Sequence, residues 1–179
     1  GTLRNANITG GGLWVDSTGT IEDGVYVTGD ITVDEYQSLW VRGGMSQDGR
    51  TTLNRSDRVW FDHGEQTLGG DAEVHLQYDH SNYYTELGLT QMTTLTTGPD
   101  TYIHGEGWVG SYAKSTRRDT TLINQGEIKA DRGSNDWLRV MPETLVNQGI
   151  MDANNGYLSV QGASTFTNEG RMTVNNGGR

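Results

Sequence analysis

The sequence contains no cysteine and only 2 prolines among its 179 residues. Without cysteine, neither a disulfide nor a thiolate metal centre can form. Lysine is scarce beside arginine, and 13 basic side chains stand against 23 acidic ones, for a net charge of −10. Affinity for a phosphate backbone comes from basic patches, so nucleic acid is excluded as the expected partner. No apolar run approaches the roughly 18 residues of a membrane span. Gly1 opens directly into patterned sequence without a leader, so any secretory address is expected outside these residues. Only 32% of positions are hydrophobic, whereas glycine is abundant at 26 residues. That mixture suits a fold with many turns and a thin core.

What is present is a repeat. TLINQGEIKADRGSNDWLRV begins at Thr121, TLVNQGIMDANNGYLSV at Thr144 and TFTNEGRMTVNNGG at Thr165. Leu122, Leu145 and Phe166 are spaced 23 and then 21 residues apart, and Asn124/Asn147/Asn168 and Gly126/Gly149/Gly170 keep the same steps. Within each copy apolar and polar residues alternate, the period of a strand with one buried face. The inward columns are Leu122/Leu145/Phe166, Ile128/Met151/Met172, Ala130/Ala153/Val174, Leu138/Leu158 and Val140/Val160. The outward columns, Glu127/Ile150/Arg171, Lys129/Asp152/Thr173 and Trp137/Tyr157, are chemically mixed.

Three short strands per 20- to 23-residue unit cannot bury a stripe alone, but can do so by coiling onto the next unit. The expected fold is therefore all-β: a single-stranded parallel β-helix, or β-solenoid, of roughly eight rungs in one domain over 1–179. At a strand spacing of about 4.8 Å the rod is ~40 Å long. Asn124, Asn147 and Asn168 are expected to form an amide ladder at equivalent turns. Gly126, Gly149 and Gly170 are expected to supply turn conformations that other residues resist. Upstream the rungs are looser: LWV at 13–15, ITV at 31–33 and TTL at 51–53 are spaced 18 and 20 apart, and LWV at 39–41 precedes VWF at 59–61 by 20. The segment 78–98 is less regular, and KSTRRDT at 114–120 reads as a charged loop.

The run TLINQGEIKAD, LRV, TLVNQGIMDANNGYLSV and TFTNEG, with the earlier EQTLGGDAEV, resembles the repeats of large bacterial surface and secreted proteins of the autotransporter and filamentous-haemagglutinin type. The resemblance is clear over 121–178 and looser over 20–76. It implies a right-handed parallel β-helix outside the cell or at its surface, serving as stalk, adhesin or matrix component. It carries over no binding site, because the shared positions are the structural ones.

Chemistry must be sought in what the repeat leaves over. GEGWVG at 105–110 fits the dinucleotide pattern G-x-G-x-x-G, but no amphipathic helix follows to receive a pyrophosphate. A solenoid turn is expected there, and no cofactor. In AEVHLQYD, an inward Val74, Leu76 and Tyr78 would place Glu73, His75, Gln77 and Asp79 outward. Asp62 and His63, about one coil earlier, and the aromatics Tyr83 and Tyr84 could join them in a patch suited to a sugar or to acid/base work. DRGSND at 131–136 lacks the calcium-loop pattern and reads as a solvated insertion, so no metal site is expected. The threonine run QMTTLTTG occurs once rather than at the rung period. The triplets Asn7-Ile8-Thr9 and Asn54-Arg55-Ser56 matter only where such sites are glycosylated.

Two readings follow. One is a structural or adhesive extracellular solenoid that is not an enzyme; the other is a carbohydrate-binding or carbohydrate-cleaving module using the patch near 60–84. Asn175-Asn176-Gly177-Gly178 repeats Asn154-Asn155-Gly156, yet the chain stops at Arg179 before the matching strand. The expectation is a segment of a longer repeat protein or, failing that, a subunit that stacks end to end. The expected partners are thus a glycan or host-surface ligand, or a second copy.

Overall fold

Alternating apolar and polar side chains dictate strands with one buried face. In the computed structural model, which describes residues 1–78, 85–111, 118–133 and 136–179, strands are the only regular secondary structure among the described residues. None of these residues lies in a helix long and apolar enough to cross a membrane.

All pairings are parallel, and they form three ladders. The first joins Thr2–Arg4, Gly19–Glu22, Ser38–Arg42, Arg58–Phe61, Glu86–Leu89, the end of Tyr102–Gly110, Trp137–Met141 and Tyr157–Val160. The second joins Asn7–Ile8, Val25–Thr28, the start of Met45–Asn54, Gly64–Gly69, Thr93–Thr97, Thr121–Asn124, Thr144–Asn147 and Thr165–Asn168. The third joins Leu13–Val15, Ile31–Val33, the end of Met45–Asn54, Ala72–Gln77, the start of Tyr102–Gly110, Glu127–Ala130, Ile150–Asn154 and Arg171–Asn175. The chain visits the ladders in rotation, as a β-solenoid does, and the sheet does not close into a barrel.

The register is the one the repeats imply. Leu122, Leu145 and Phe166 are partners, as are Ile128, Met151 and Met172. The looser upstream spacing holds as well, with Leu13 against Ile31 and Leu39 against Val59. Inward residues such as Ile21, Val41, Phe61 and Leu89 stack into one column and are fully buried. Each such side chain contributes about 1.5–3 kcal/mol by leaving water.

The asparagine ladder sits in a column that is apolar upstream. Val25, Met45 and Leu68 lead into Thr97, Asn124, Asn147 and Asn168. The change of chemistry is capped: Thr97 Oγ1 donates to Asn124 Oδ1 at 3.1 Å, Asn124 Nδ2 to Asn147 Oδ1 at 2.8 Å, and Asn147 Nδ2 to Asn168 Oδ1 at 2.7 Å. Further amide bonds reach the carbonyls of Ile150 and Arg171. Buried amides are tolerated because each finds partners.

The glycine column has a different cause from the one expected. Gly126, Gly149 and Gly170 do not adopt positive φ. Their constraint is crowding: a Cβ on Gly149 would lie 2.0 Å from the Gly126 carbonyl oxygen, and one on Gly170 2.1 Å from that of Gly149. The GEGWVG segment makes the expected solenoid corner, but as a bend within a continuous strand. It belongs to the strand Tyr102–Gly110, which passes directly from the third ladder to the first. Gly105, at φ 103, precedes the change of ladder between Glu106 and Gly107, and a Cβ there would lie 2.1 Å from the Leu76 carbonyl oxygen.

Replacing Asn147 with Leu leaves buried groups unpaired and is expected to cost ~1–3 kcal/mol in chemical denaturation. Gly149→Ala should cost a similar ~1–3 kcal/mol through overpacking. Met151→Asp should exceed both, because it buries a charge in the inward column. Equal stability of all three variants and the parent chain would contradict this register.

Candidate functional site

The strand Ala72–Gln77 presents its side chains as its alternation requires: Ala72, Val74 and Leu76 are buried, while Glu73, His75 and Gln77 face outward. Parallel register then decides their neighbours. Glu73 lies between Arg50 and Tyr102, and His75 between Thr52 and His104. The imidazoles of His75 and His104 stack at 4.3 Å with 7° between their planes, and Tyr102 stacks on His104 at 4.4 Å and 9°. The Gln77 amide lies 2.9 Å from His75 Nδ1.

Both nitrogens of His104 face carboxylates: Nε2 is 2.9 Å from Glu73 and Nδ1 is 3.3 Å from Asp131. Asp131 also accepts from the Tyr102 hydroxyl at 2.9 Å, and Arg50 lies 2.9 Å from Glu73. Burial disfavours the charge on His104, but the hydrogen bonds and charges of Asp131 and Glu73 outweigh it and raise its pKa above the ordinary value. His75 moves the other way, because burial, the charge on His104 and Arg50 all disfavour its protonation. Glu73 and Asp131 are opposed by burial yet held below the ordinary carboxylate range by these partners. The stack therefore sets a histidine whose protonated form is favoured by two carboxylates beside one whose protonated form is disfavoured.

Of the expected patch, Glu73, His75 and Gln77 stay together. Asp62 and His63 do not join them. They occupy the corner between Arg58–Phe61 of the first ladder and Gly64–Gly69 of the second, within the same turn of the solenoid as His75 rather than one coil earlier. Asp62 accepts from Arg42 Nε and from Thr90 Oγ1, both at 2.8 Å, and lies 2.6 Å from His63 Nδ1. Burial opposes its charge, but these bonds prevail and lower its pKa, so it is an ionised structural group and not a proton donor. It closes a column of alternating charge, Arg4, Glu22, Arg42 and Asp62, along the first ladder. Asp79, Tyr83 and Tyr84 lie outside the described residues.

Within DRGSND, read as a solvated insertion, Asp131 is half-buried and Arg132 exposed, while Ser134 and Asn135 lie outside the described residues. The Asp131 carboxylate reaches back to Tyr102 and His104, and Arg132 Nη1 donates to the Tyr78 carbonyl at 2.8 Å. Tyr102 and His104 belong to the same patch without lying in any regular column, although EVHL at 73–76 and YIHG at 102–105 share the spacing. The threonine run turns its Thr93 and Thr97 inward, where Thr93 Oγ1 accepts from the His63 amide. On the first ladder Trp40 and Trp60 stack at 5.8 Å, and Trp60 covers Gly88. Trp137 and Tyr157 stack at 4.6 Å, with Arg139 over Trp137. Among the described residues no three His, Asp or Glu side chains are grouped to hold a metal ion. No family model, curated protein or solved structure matches this chain.

The arrangement can bind polar groups and hold a proton, but its two central carboxylates, Glu73 and Asp131, both face the one ring of His104. The sign of its pH dependence follows. The raised pKa of His104 gives a contribution complete below its ordinary value of 6.5 and lost as pH rises through its folded value. The lowered Glu73 and Asp131 contribute above their ordinary values of 4.5 and 3.8, and that contribution is lost as pH falls through their folded values. His104→Gln is expected to remove the alkaline slope and to cost ~1–3 kcal/mol by leaving both carboxylates without the His104 ring. In proton NMR, His104 should titrate above 6.5 and His75 below it. The reverse order would contradict the assignment.

Proposed function

We propose that the chain is a structural or adhesive β-solenoid, acting outside the cell or at its surface as stalk, adhesin or matrix component. The observation that carries this reading is how the inward columns persist across the ladders while the outward chemistry varies from rung to rung. One strand from each ladder per turn corresponds to eight rungs and a rod of ~40 Å. Right-handed winding and the surface setting follow from the repeat resemblance to autotransporter and filamentous-haemagglutinin proteins.

The reading includes no catalysis. An acid and a base in one groove would be needed for glycoside cleavage, and Asp62 is instead held by Arg42 and Thr90 on another ladder from His75. A second reading, carbohydrate binding, is favoured by one observation: Glu73, His75 and Gln77 share an outward face with Tyr102 and His104. Self-association along the axis is the remaining partner class.

The test joins turnover to size. Incubation with plant, fungal and bacterial polysaccharides is expected to release no reducing ends, and cleavage that disappears in Glu73→Gln or Asp62→Asn would overturn the non-enzymatic reading. In sedimentation and electron microscopy, rods that lengthen with concentration and are lost in Val174→Lys would make assembly part of the function. A monomer at every concentration would remove self-association from the proposal.

A further inference from the structure

Beside the His75/His104 stack, the corner between the third and first ladders is hollowed into a groove of about 400 Å³. Thr32, Asp34, Asn54, Arg55, Gln77 and Arg132 line it. Successive rungs supply its floor, since Thr32 pairs with Thr52 and Asn54 pairs with Gln77. Arg132 supplies its far wall, reaching back to the Tyr78 carbonyl. Trp14 lies outside this lining but next to it, as the register partner of Thr32. Trp14 is 72% exposed, yet its indole is held in place by donation from Nε1 to Asp34 Oδ1 at 2.8 Å.

We infer that this groove binds a neutral, hydroxyl-rich glycan chain lying along the solenoid axis, with one sugar ring stacked on Trp14 and the following rings hydrogen-bonded by Asn54 and Gln77. The inference rests on the carbohydrate-binding reading of this face and narrows it to one groove and one ligand class. Three features select the class. The lining holds amide, hydroxyl and carboxylate groups together, and a sugar hydroxyl, being donor and acceptor at once, can answer each of them. An exposed indole offers the apolar face that a pyranose ring can cover while its hydroxyls stay wet. Equivalent groups recur at about 4.8 Å from rung to rung, close to the length of one sugar unit, so an extended chain can meet the same kind of contact at each step.

Charge argues against an acidic polysaccharide. Arg55 is paired with Glu35 at 3.1 Å, Asp34 also lines the groove, and the whole chain carries −10. A polyanion would meet no surplus of positive charge and would be repelled at long range.

The experiment is calorimetric titration of the intact chain with neutral hexasaccharides of glucose, mannose, galactose and N-acetylglucosamine, and with hexagalacturonate. At least one neutral hexasaccharide should bind, with an affinity that changes less than twofold between low and high salt, since no ion pair with the ligand forms. Trp14→Ala, at an exposed position that the fold does not need, should weaken binding at least tenfold, and Gln77→Ala should do the same. His63→Ala, at the corner of the first and second ladders, should leave the affinity unchanged. Quenching of indole fluorescence on titration, lost in Trp14→Ala, gives a readout independent of the amide variant. Binding of hexagalacturonate alone, with strong salt dependence, would overturn the neutral class. Binding that survives Trp14→Ala and Gln77→Ala but fails in Tyr102→Ala would overturn the groove while preserving carbohydrate binding by the face. No binding of any oligosaccharide would overturn both.

Discussion

Parallel, in-register stacking governs the whole molecule. Every residue of a rung lies about 4.8 Å from its counterpart in the next, so each column must hold side chains that tolerate close neighbours of their own kind. Apolar side chains do this by packing, as in Ile21, Val41, Phe61 and Leu89. Carboxamides do it by being donor and acceptor together, which lets Asn124, Asn147 and Asn168 bond in series. Charges do it only by alternating in sign, as Arg4, Glu22, Arg42 and Asp62 do. Rings do it by stacking, as Trp137 and Tyr157 do.

The same rule explains why one column can change its chemistry. Between Leu68 and Asn124 stands Thr97, whose methyl suits the apolar side and whose hydroxyl donates to the first amide. A direct passage from leucine to asparagine would leave Asn124 Oδ1 without that donor, at a cost of ~1–3 kcal/mol for a buried polar group. The imidazole stack obeys the rule by dividing its charge. Two imidazoliums 4.3 Å apart would repel, and the surroundings resolve this by giving His104 two carboxylates and His75 a carboxamide.

Regular columns were legible in the sequence. The steps linking Leu122, Leu145 and Phe166, or Leu39 and Val59, are the strand register itself, because a solenoid turns local sequence period into spatial neighbourhood. The outward placement of Glu73, His75 and Gln77 was legible for the same reason, since a strand with Val74 and Leu76 buried leaves no other face for them. The separation of Asp62 from His75 was not. Which ladder a corner residue joins depends on where the chain bends, and a bend adds or removes residues without altering the apolar count.

The sequence by itself determined the all-β class, the rung period, the inward columns and the asparagine ladder, because each follows from the two-residue alternation and the repeat step. Tertiary structure alone decided the rest. The 29-residue step from His75 to His104 departs from the period, so only strand pairing brings the rings together. Asp131 meets them from a segment whose composition reads as solvent-exposed, since its position depends on how an insertion folds back over the rung below. Crowding at Gly149 depends on a carbonyl one rung away, a contact created only when the coils stack. These are contacts between rungs at irregular steps, and only the packed solenoid brings such residues within reach of one another.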